Sequence, residues 1–184
     1  MIAAKLKHVF VLWCALVFVA VPTQAEMRVI KVITYDHALA EAFRNARATL
    51  ATALAATEKR HGRFSPSLAL RVALPVPDPE VKVELVWVDT IRRDGKGFAG
   101  RLASHPQHMP GKRMRSPVTF AHSQIADWAV QAEDGRYYGY FSTRVALKYL
   151  DDEAASQVEA ILVPRTVPRL WEQIPSEPAP APDE

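Results

Sequence analysis

The sequence predicts an α+β fold: a short-stranded, curved antiparallel sheet packed against an N-terminal amphipathic helix, with a C-terminal helix. Three observations predict this class. Apolar residues first recur at helical spacing, an alternation with a period of two follows, and two Asp-Gly dipeptides mark hairpin turns inside the alternating region. A small partial barrel is the alternative form for a strongly curved sheet of this kind.

The first element is a helix over residues 36–59, where apolar residues repeat at spacings of three and four and so share one face. They are Leu39, Ala42, Phe43, Ala46, Leu50, Ala53 and Leu54. We expect Asp36 to cap the helix and Gly62 with Pro66 to end it. The apolar face is expected to pack on a sheet and not on a membrane surface.

The next two elements are strands over residues 68–74 and 81–87, in which apolar residues alternate with smaller or polar ones. The prolines between them, Pro75, Pro77 and Pro79, predict an irregular connection, because proline cannot donate a hydrogen bond to a strand ladder.

The Asp-Gly dipeptides predict hairpins over residues 87–103 and 129–141, since a tight hairpin turn requires positive φ. Residues 117–121 predict one more short strand. The middle of the chain is therefore expected to be an antiparallel sheet of five or six strands.

Acidic residues at the start and an apolar face predict a helix from Asp151 that ends at Pro164. Residues 166–184 are proline-rich and are expected to form a partly disordered tail, extended or disordered from Ser176 onward. Trp171 and Leu170 are expected to hold the first half of this tail against the domain.

The first 25 residues have the pattern of a secretory signal peptide, with two lysines, an apolar run of 13 residues and small residues before a cleavage site after Ala25. The run is too short to span a bilayer comfortably, so a retained anchor is the minor alternative. We expect a periplasmic or secreted protein with one domain over residues 26–165.

Composition excludes several classes of function for such a mature chain. Cys14, the single cysteine, lies in the signal segment, which excludes disulfides, a cysteine nucleophile and thiolate metal sites. The charge after cleavage is nearly neutral, with 21 basic and 20 acidic residues. Nucleic acid is not an expected partner, because no aromatic stacking motif accompanies the basic residues.

The strongest charge feature is the stretch of residues 92–115, which contains seven basic residues and one acidic residue. They are Arg92, Arg93, Lys96, Arg101, Lys112, Arg113 and Arg115, with Asp94. If the loops share one end of the sheet, this patch could bind an anionic ligand or an envelope protein. The alternative is a solvated set of loop tips balanced by the acidic residues of the C-terminal helix.

Histidines and hydroxyl groups give no comparable signal. His105, His108 and His122 are the candidate metal ligands, but Pro106 places the first two on an irregular loop, and we expect no metal and no cofactor. His122, Ser123 and Asp127 do not form a triad, because sequence neighbours seldom point at a common atom.

The pair Asp127-Trp128 allows two interpretations. The carboxylate caps a local turn, or it lies in an apolar pocket with a raised pKa. In the first case Trp128 and Trp87 fill the core between the sheet and the helix.

An ordered set of motifs from Glu84 to Leu147 resembles the YegJ-like family, domain of unknown function 2314, with a core over residues 68–147. The resemblance rests on a tryptophan strand, a glycine arm, a turn, an Ile-x-Asp-Trp signature and a final Gly-x-x-x-x-Arg segment. The matching residues are Trp87, Gly100, Pro106, Gly111, Ile125, Asp127, Trp128, Gly139 and Arg144.

The resemblance implies an uncharacterised activity and brings Arg144 close to Asp127, as an ion pair or an anion contact. Leu85, His105, Phe141 and Ser142 depart from the family pattern, which weakens any role for polar groups at those positions.

We predict a noncatalytic binding or accessory module of the cell envelope, with Arg92, Arg93, Arg101, Arg113, Arg115 and Arg144 as candidate binding residues. One alternative is an envelope hydrolase that uses Asp127 or Glu84 as acid or base, which requires two catalytic groups in one cleft. A second alternative is an immunity or inhibitor-type protein, which requires a contiguous exposed face.

Overall fold

A computed structural model describes residues 37–173 of the chain. The helices and strands are α1 (His37–Thr57), β1 (Leu68–Pro75), β2 (Val83–Asp94), β3 (Gly97–Leu102), β4 (Pro117–Phe120), β5 (Ile125–Gln131), β6 (Tyr137–Gly139), α2 (Phe141–Ala146) and α3 (Asp152–Ala160). Single 3₁₀ segments span Arg60–Gly62, His122–Gln124, Leu147–Tyr149 and Arg169–Gln173. The predicted signal segment, the cap at Asp36 and the tail from Ser176 lie outside the described residues.

The strands form one antiparallel sheet in the order β4-β3-β2-β1-β5-β6. The α+β class is therefore confirmed. The two edge strands, β4 and β6, do not pair with each other, so the sheet is open and does not close into a complete barrel. At the β6 edge, the amide of Tyr137 donates to the Ile161 carbonyl at 2.8 Å, and the amide of Val163 donates to the Tyr137 carbonyl at 3.0 Å. The segment after α3 therefore covers this edge strand.

One face of the sheet packs against α1, as its amphipathic pattern predicts. Alternate side chains of β1 are buried toward the helix, from Leu68 to Leu74. Trp128 of β5 is fully buried on this face, and its indole N–H donates to the Ala46 carbonyl and to Thr49 Oγ1, both at 3.1 Å. The indole thus fastens α1 to the sheet through packing and polar contacts together.

The opposite face of the sheet, here called the back face, carries the other tryptophan. Trp87 of β2 lies directly across from Arg71 of β1, and strand alternation directs both away from the buried residues of β1. Trp87 is half-buried and does not fill the core between sheet and helix, so that prediction is wrong for Trp87 and right for Trp128.

Both Asp-Gly hairpins are present, as β2-β3 and β5-β6, and β4 matches the predicted short strand. The C-terminal helix is also present, with Asp151 accepting a hydrogen bond from the amide of Ala154 at 2.8 Å, but it ends at Ala160 and not at Pro164. Trp171 packs against Trp128 at 5.7 Å, whereas Leu170 is 77% exposed and does not hold the chain.

The sequence pattern missed α2, which begins directly after Tyr140. Tyr140 has a φ of 52°, a left-handed conformation that is uncommon outside glycine and that turns the chain sharply at the sheet edge. The turn returns Phe141 to the core and Ser142 to the back face, where Ser142 bonds Asp127.

Candidate functional site

A polar network lies in the middle of the back face, where β1, β2 and β5 adjoin and α2 begins. We call it the back-face cluster and define it by five residues: Arg71, Trp87, Asp127, Tyr140 and Ser142. Arg71 is the cross-strand partner of both Trp87 and Asp127, and the turn at Tyr140 supplies the other two side chains. Strand register therefore fixes three of the five positions.

Asp127 is 1% exposed, and both of its oxygens accept hydrogen bonds. Oδ1 accepts from the amides of Trp128 (2.7 Å) and Phe141 (3.3 Å). Oδ2 accepts from the amide and the hydroxyl of Ser142, at 2.7 and 2.6 Å. The carboxylate thus joins β5 to the start of α2, in agreement with the capping interpretation of this residue.

Arg71 reaches the carboxylate through the serine. Its Nη1 donates to Ser142 Oγ at 2.9 Å, and that hydroxyl in turn donates to Asp127. The guanidinium carbon also lies 6.0 Å from the centre of the Trp87 ring. The result is a buried carboxylate and a partly buried guanidinium, bridged by a hydroxyl group and bordered by an aromatic ring.

Three half-buried aromatic rings form a row on the back face. Tyr140 contacts Trp87 edge-on at 4.8 Å and Tyr137 at 5.3 Å between ring centres. Such edge-to-face pairs are favourable beyond the area that they bury.

Burial shifts the pKa values of the cluster. Loss of solvation raises the pKa of Asp127, while the donors from Ser142 and Trp128 and the charge of Arg71 oppose the rise. Loss of solvation likewise lowers the pKa of Arg71, against the attraction of Asp127. The pKa of Tyr140 is raised by burial, and then by Tyr137 and Asp127.

The two carboxylates proposed for hydrolysis do not share a cleft. Asp127 is sealed against backbone amides, and Glu84 accepts from the amides of Gln107 (2.6 Å) and His108 (2.9 Å). Glu84 therefore holds the loop after β3 in place. This geometry does not place the two carboxylates together as an acid and base pair.

Most of the candidate binding arginines have partners within the chain. Arg93 makes two bonds to Glu58, at 2.9 and 2.8 Å, and lies over Phe64 and Phe98. Arg115 bonds both oxygens of Asp89 at 2.7 Å. The compensating carboxylates therefore lie directly after α1 and in β2, and not in the C-terminal helix.

Arg144 contacts carbonyl groups and not Asp127. Its Nε donates to the Gly139 carbonyl at 2.8 Å, and its Nη2 donates to the Val163 carbonyl at 2.7 Å. It ties β6 to the segment after α3, so its role here is structural. The cation linked to Asp127 by hydrogen bonds, through Ser142, is Arg71, whereas Arg144 is attracted to Asp127 only electrostatically.

The motif glycines have steric explanations. Gly139 has a φ of 74°, and a Cβ there would collide with the carbonyl of Trp128. A Cβ on Gly100 would lie 2.5 Å from a methyl group of Val88. Gly111 forms a turn with a φ of 76° beside the loop of Pro106.

A groove of about 840 Å³ lies between the end of β1, strands β2 to β4 and the loop before β4. We call it the basic groove. Its apolar lining includes Leu74, Met109, Pro110 and Val118. Its charged lining is Arg92, Arg101 and Lys112, and none of the described residues that line it is acidic. Of the six candidate binding arginines, the groove thus contains Arg92 and Arg101, while Arg93, Arg113, Arg115 and Arg144 lie outside its lining.

The three cations of the groove retain donors for a ligand. Arg101 uses Nη1 for the Arg115 carbonyl at 3.0 Å, and Lys112 uses Nζ for the Pro117 carbonyl at 3.1 Å. Arg92 contacts Asp94 only at 3.5 Å. Since a guanidinium has five N–H donors and an ammonium has three, most donors of this set are not used by those contacts.

Two further findings concern metal ligands and membrane-spanning helices. Across residues 37–173, no three histidine, cysteine or acidic side chains come together as metal ligands would. Within the same range, none of the helices combines the length and apolar character of a bilayer span.

Together, the fold and these sites define an α+β domain with an open antiparallel sheet, a sealed polar cluster and a basic groove. Residues 36–161 match the model of a family described as "Uncharacterized protein conserved in bacteria (DUF2314)", and the chain belongs to that family. The match does not carry the name YegJ-like. No match was found among curated proteins or among solved structures.

Sequence reasoning missed Arg71 and Ser142. Arg71 carried a usable signal, because it is the one charged residue in the strand Leu68–Pro75, whose neighbours on both sides are apolar. A charge inside such a strand requires a buried partner. Ser142 gives no such signal, because the family pattern has a different residue at this position.

Proposed function

We propose that this protein is a noncatalytic binding module of the bacterial cell envelope, and that its ligand is an amphipathic anion bound in the basic groove. The observation that carries the proposal is the lining of the groove: three cations stand over an apolar wall, and no acidic side chain lies among the described lining residues. A ligand with an anionic head and an apolar body would satisfy both parts of that lining.

The position of the carboxylates supports a noncatalytic role. The carboxylate oxygens of Asp127 and Glu84 accept hydrogen bonds from backbone amides of the chain itself. An acid or base needs a proton-exchanging atom within reach of substrate, and both of these carboxylates are engaged in holding loops.

Export to the envelope rests on the sequence. The basic start, the apolar run and the small residues before Glu26 are typical of a cleaved secretory signal. Mass spectrometry of the protein isolated from its own bacterium tests this step. We expect a periplasmic or secreted chain that begins at Glu26, and a cytosolic chain that begins at Met1 would refute export.

Calorimetric titration with dodecyl phosphate, below its micelle concentration, tests the ligand class. We expect saturable binding of one molecule, no comparable binding of dodecyl maltoside, which has a neutral head, and weaker binding of inorganic phosphate, which has no apolar body. Equal binding of the maltoside would overturn the assignment of an anionic ligand.

Charge reversals locate the site. The double variant Arg101→Glu, Lys112→Glu should weaken dodecyl phosphate binding about tenfold or more, since hydrogen bonds to charged groups are among the stronger polar contacts. The control is Arg113→Glu. Arg113 is next to Lys112 in the loop before β4, but it lies outside the groove lining. If the control weakens binding equally, general basic charge and not the groove binds the anion.

A further inference from the structure

The back-face cluster contains an arginine whose donors are incompletely used. Arg71 Nη1 bonds Ser142, whereas Nε is buried and has no hydrogen-bond partner. Among the described residues, Nη2 likewise makes no hydrogen bond. Nε–H and the adjacent N–H of Nη2 point in the same direction and form the side-on fork of the guanidinium, which matches the two oxygens of a carboxylate.

A buried donor without an acceptor is costly, and it is rare in native proteins. The acceptor is not Asp127, because each of its oxygens already accepts two hydrogen bonds from Ser142, Trp128 and Phe141. The cluster thus holds its cation in place by one end, through Nη1, and leaves the other edge of the guanidinium unused.

The surroundings of that edge are aromatic. Trp87 lies under the guanidinium at 6.0 Å, and Tyr140 contacts Trp87 at 4.8 Å. Both rings are half-buried, so each retains a surface that faces solvent. A flat apolar group can stack on such a surface while its charged end reaches the arginine.

We propose that the back-face cluster is a second binding site, distinct from the basic groove, which takes a small carboxylic acid with a flat apolar body. One carboxylate oxygen accepts from Arg71 Nη2 and the other accepts from Nε. The apolar body lies against Trp87 and Tyr140. Ser142 and Asp127 hold the guanidinium in position from the opposite side and are positioning residues.

The aromatic surroundings of Arg71 favour this ligand over a simple phosphate. Both anions match the edge formed by Nε and Nη2, but phosphate has no flat apolar body to lie against Trp87 and Tyr140. Nε is buried, so the side chains that cover it must shift as the carboxylate enters.

Nuclear magnetic resonance of the arginine Nε–H groups of the whole chain tests the proposal, with benzoate as the probe. We expect the Arg71 Nε–H signal to move downfield and to saturate with benzoate, because this proton gains its first hydrogen bond. Benzamide, which has the same ring without the charge, and inorganic phosphate should leave the signal in place. An unmoved Arg71 signal at saturating benzoate, or an equal shift with phosphate, would overturn the proposal.

Two variants separate the fork from the charge. Arg71→Lys keeps the cation but removes the fork, and it should weaken benzoate binding about ten- to a hundredfold. Since this variant can unfold, Trp87→Leu serves as the second test: it keeps Arg71 and should weaken binding severalfold. Arg113→Lys, which lies outside both the groove lining and the back-face cluster, is the control and should bind benzoate as the parent does. Unchanged affinity in a folded Arg71→Lys or in Trp87→Leu refutes the site.

Discussion

Two arginines show how differently this fold uses one residue type. Arg71, in the back-face cluster, is partly buried and reaches a sealed carboxylate through Ser142. Arg115, beside the basic groove, bonds Asp89 directly at 2.7 Å, and its side chain is 51% exposed. The exposed contact is the shorter and more direct one, but solvent can replace each of its partners.

The difference teaches that burial, and not contact distance, decides which interactions hold this fold. Removing one member of a buried pair leaves the other charged and without solvent. Removing one member of an exposed pair leaves the other hydrated, and such pairs contribute little to stability. We therefore expect substitutions in the back-face cluster to cost more stability than substitutions at the basic groove.

The largest effect is expected for Asp127→Ala. This change removes the acceptor of four hydrogen bonds and leaves the charge of Arg71 uncompensated, which should cost about 3–5 kcal/mol in the free energy of unfolding. Urea unfolding at pH 7 measures it. The control is Asp94→Ala, whose carboxylate makes an exposed contact with Arg92 at 3.5 Å. Similar costs for the two variants would contradict the comparison.

The sequence predicted the regular parts of the fold because their patterns are local. The helix α1, the hairpins β2-β3 and β5-β6, and the helix α3 each followed from spacing or from a turn dipeptide. The helix α2 was missed because its start depends on Tyr140 in a left-handed conformation, which no residue pattern announces. Trp87 was assigned to the wrong face because strand alternation alone does not say which face the helix covers.

The sequence predicted only part of each site. A turn-capping role for Asp127 was among the interpretations of its motif, but its link to Arg71 depends on the pairing of β1 with β5, which are about fifty residues apart. The basic groove was foreseen only as a cluster of charge. Its apolar wall comes from Leu74 at the far end of β1 and from Met109 in a loop, and only the folded chain brings them together.

The same substitution, serine to alanine, can be made in the back-face cluster and near the basic groove, so that the two regions are compared directly. Ser142→Ala removes the hydroxyl that bridges Arg71 and Asp127 and should cost about 1–3 kcal/mol, because a buried donor and a buried acceptor lose their partner. Ser116→Ala, near the basic groove, removes a hydroxyl that accepts from the Arg113 amide at 2.9 Å and should cost about 0.5 kcal/mol. Thermal and urea unfolding measure both, and the reverse order would break the comparison.

A smaller effect is expected for Arg115→Ala. The ion pair with Asp89 has favourable geometry, but the exposure of Arg115 limits its contribution to less than about 1 kcal/mol. The loss of stability should shrink further at high salt, because the Debye screening length falls to about 3 Å at 1 M salt. A cost above about 2 kcal/mol in urea unfolding would place Arg115 with the buried arginine and not with the exposed ones.

The smallest effect concerns Asp78, which is a partly exposed carboxylate in the turn before β2. The amides of Val81 and Glu80 and the ring of His108 lower its pKa to about 2. A lowered pKa means that the folded chain holds the ionised form more strongly than the unfolded chain does. The contribution of Asp78 is thus present above its ordinary pKa of 3.8 and lost as the pH falls through about 2.

Asp78→Asn provides the measurement for this group, because the amide oxygen can still accept from Val81 and Glu80 while the titration is removed. The difference in unfolding free energy between parent and variant should grow from pH 2 to pH 4 and stay constant above it. Asp127 should behave oppositely: burial raises its pKa, so its titration favours folding at acid pH and ceases to do so as the pH rises. If both carboxylates shift stability in the same direction, burial is not what distinguishes the back-face cluster from the exposed loops.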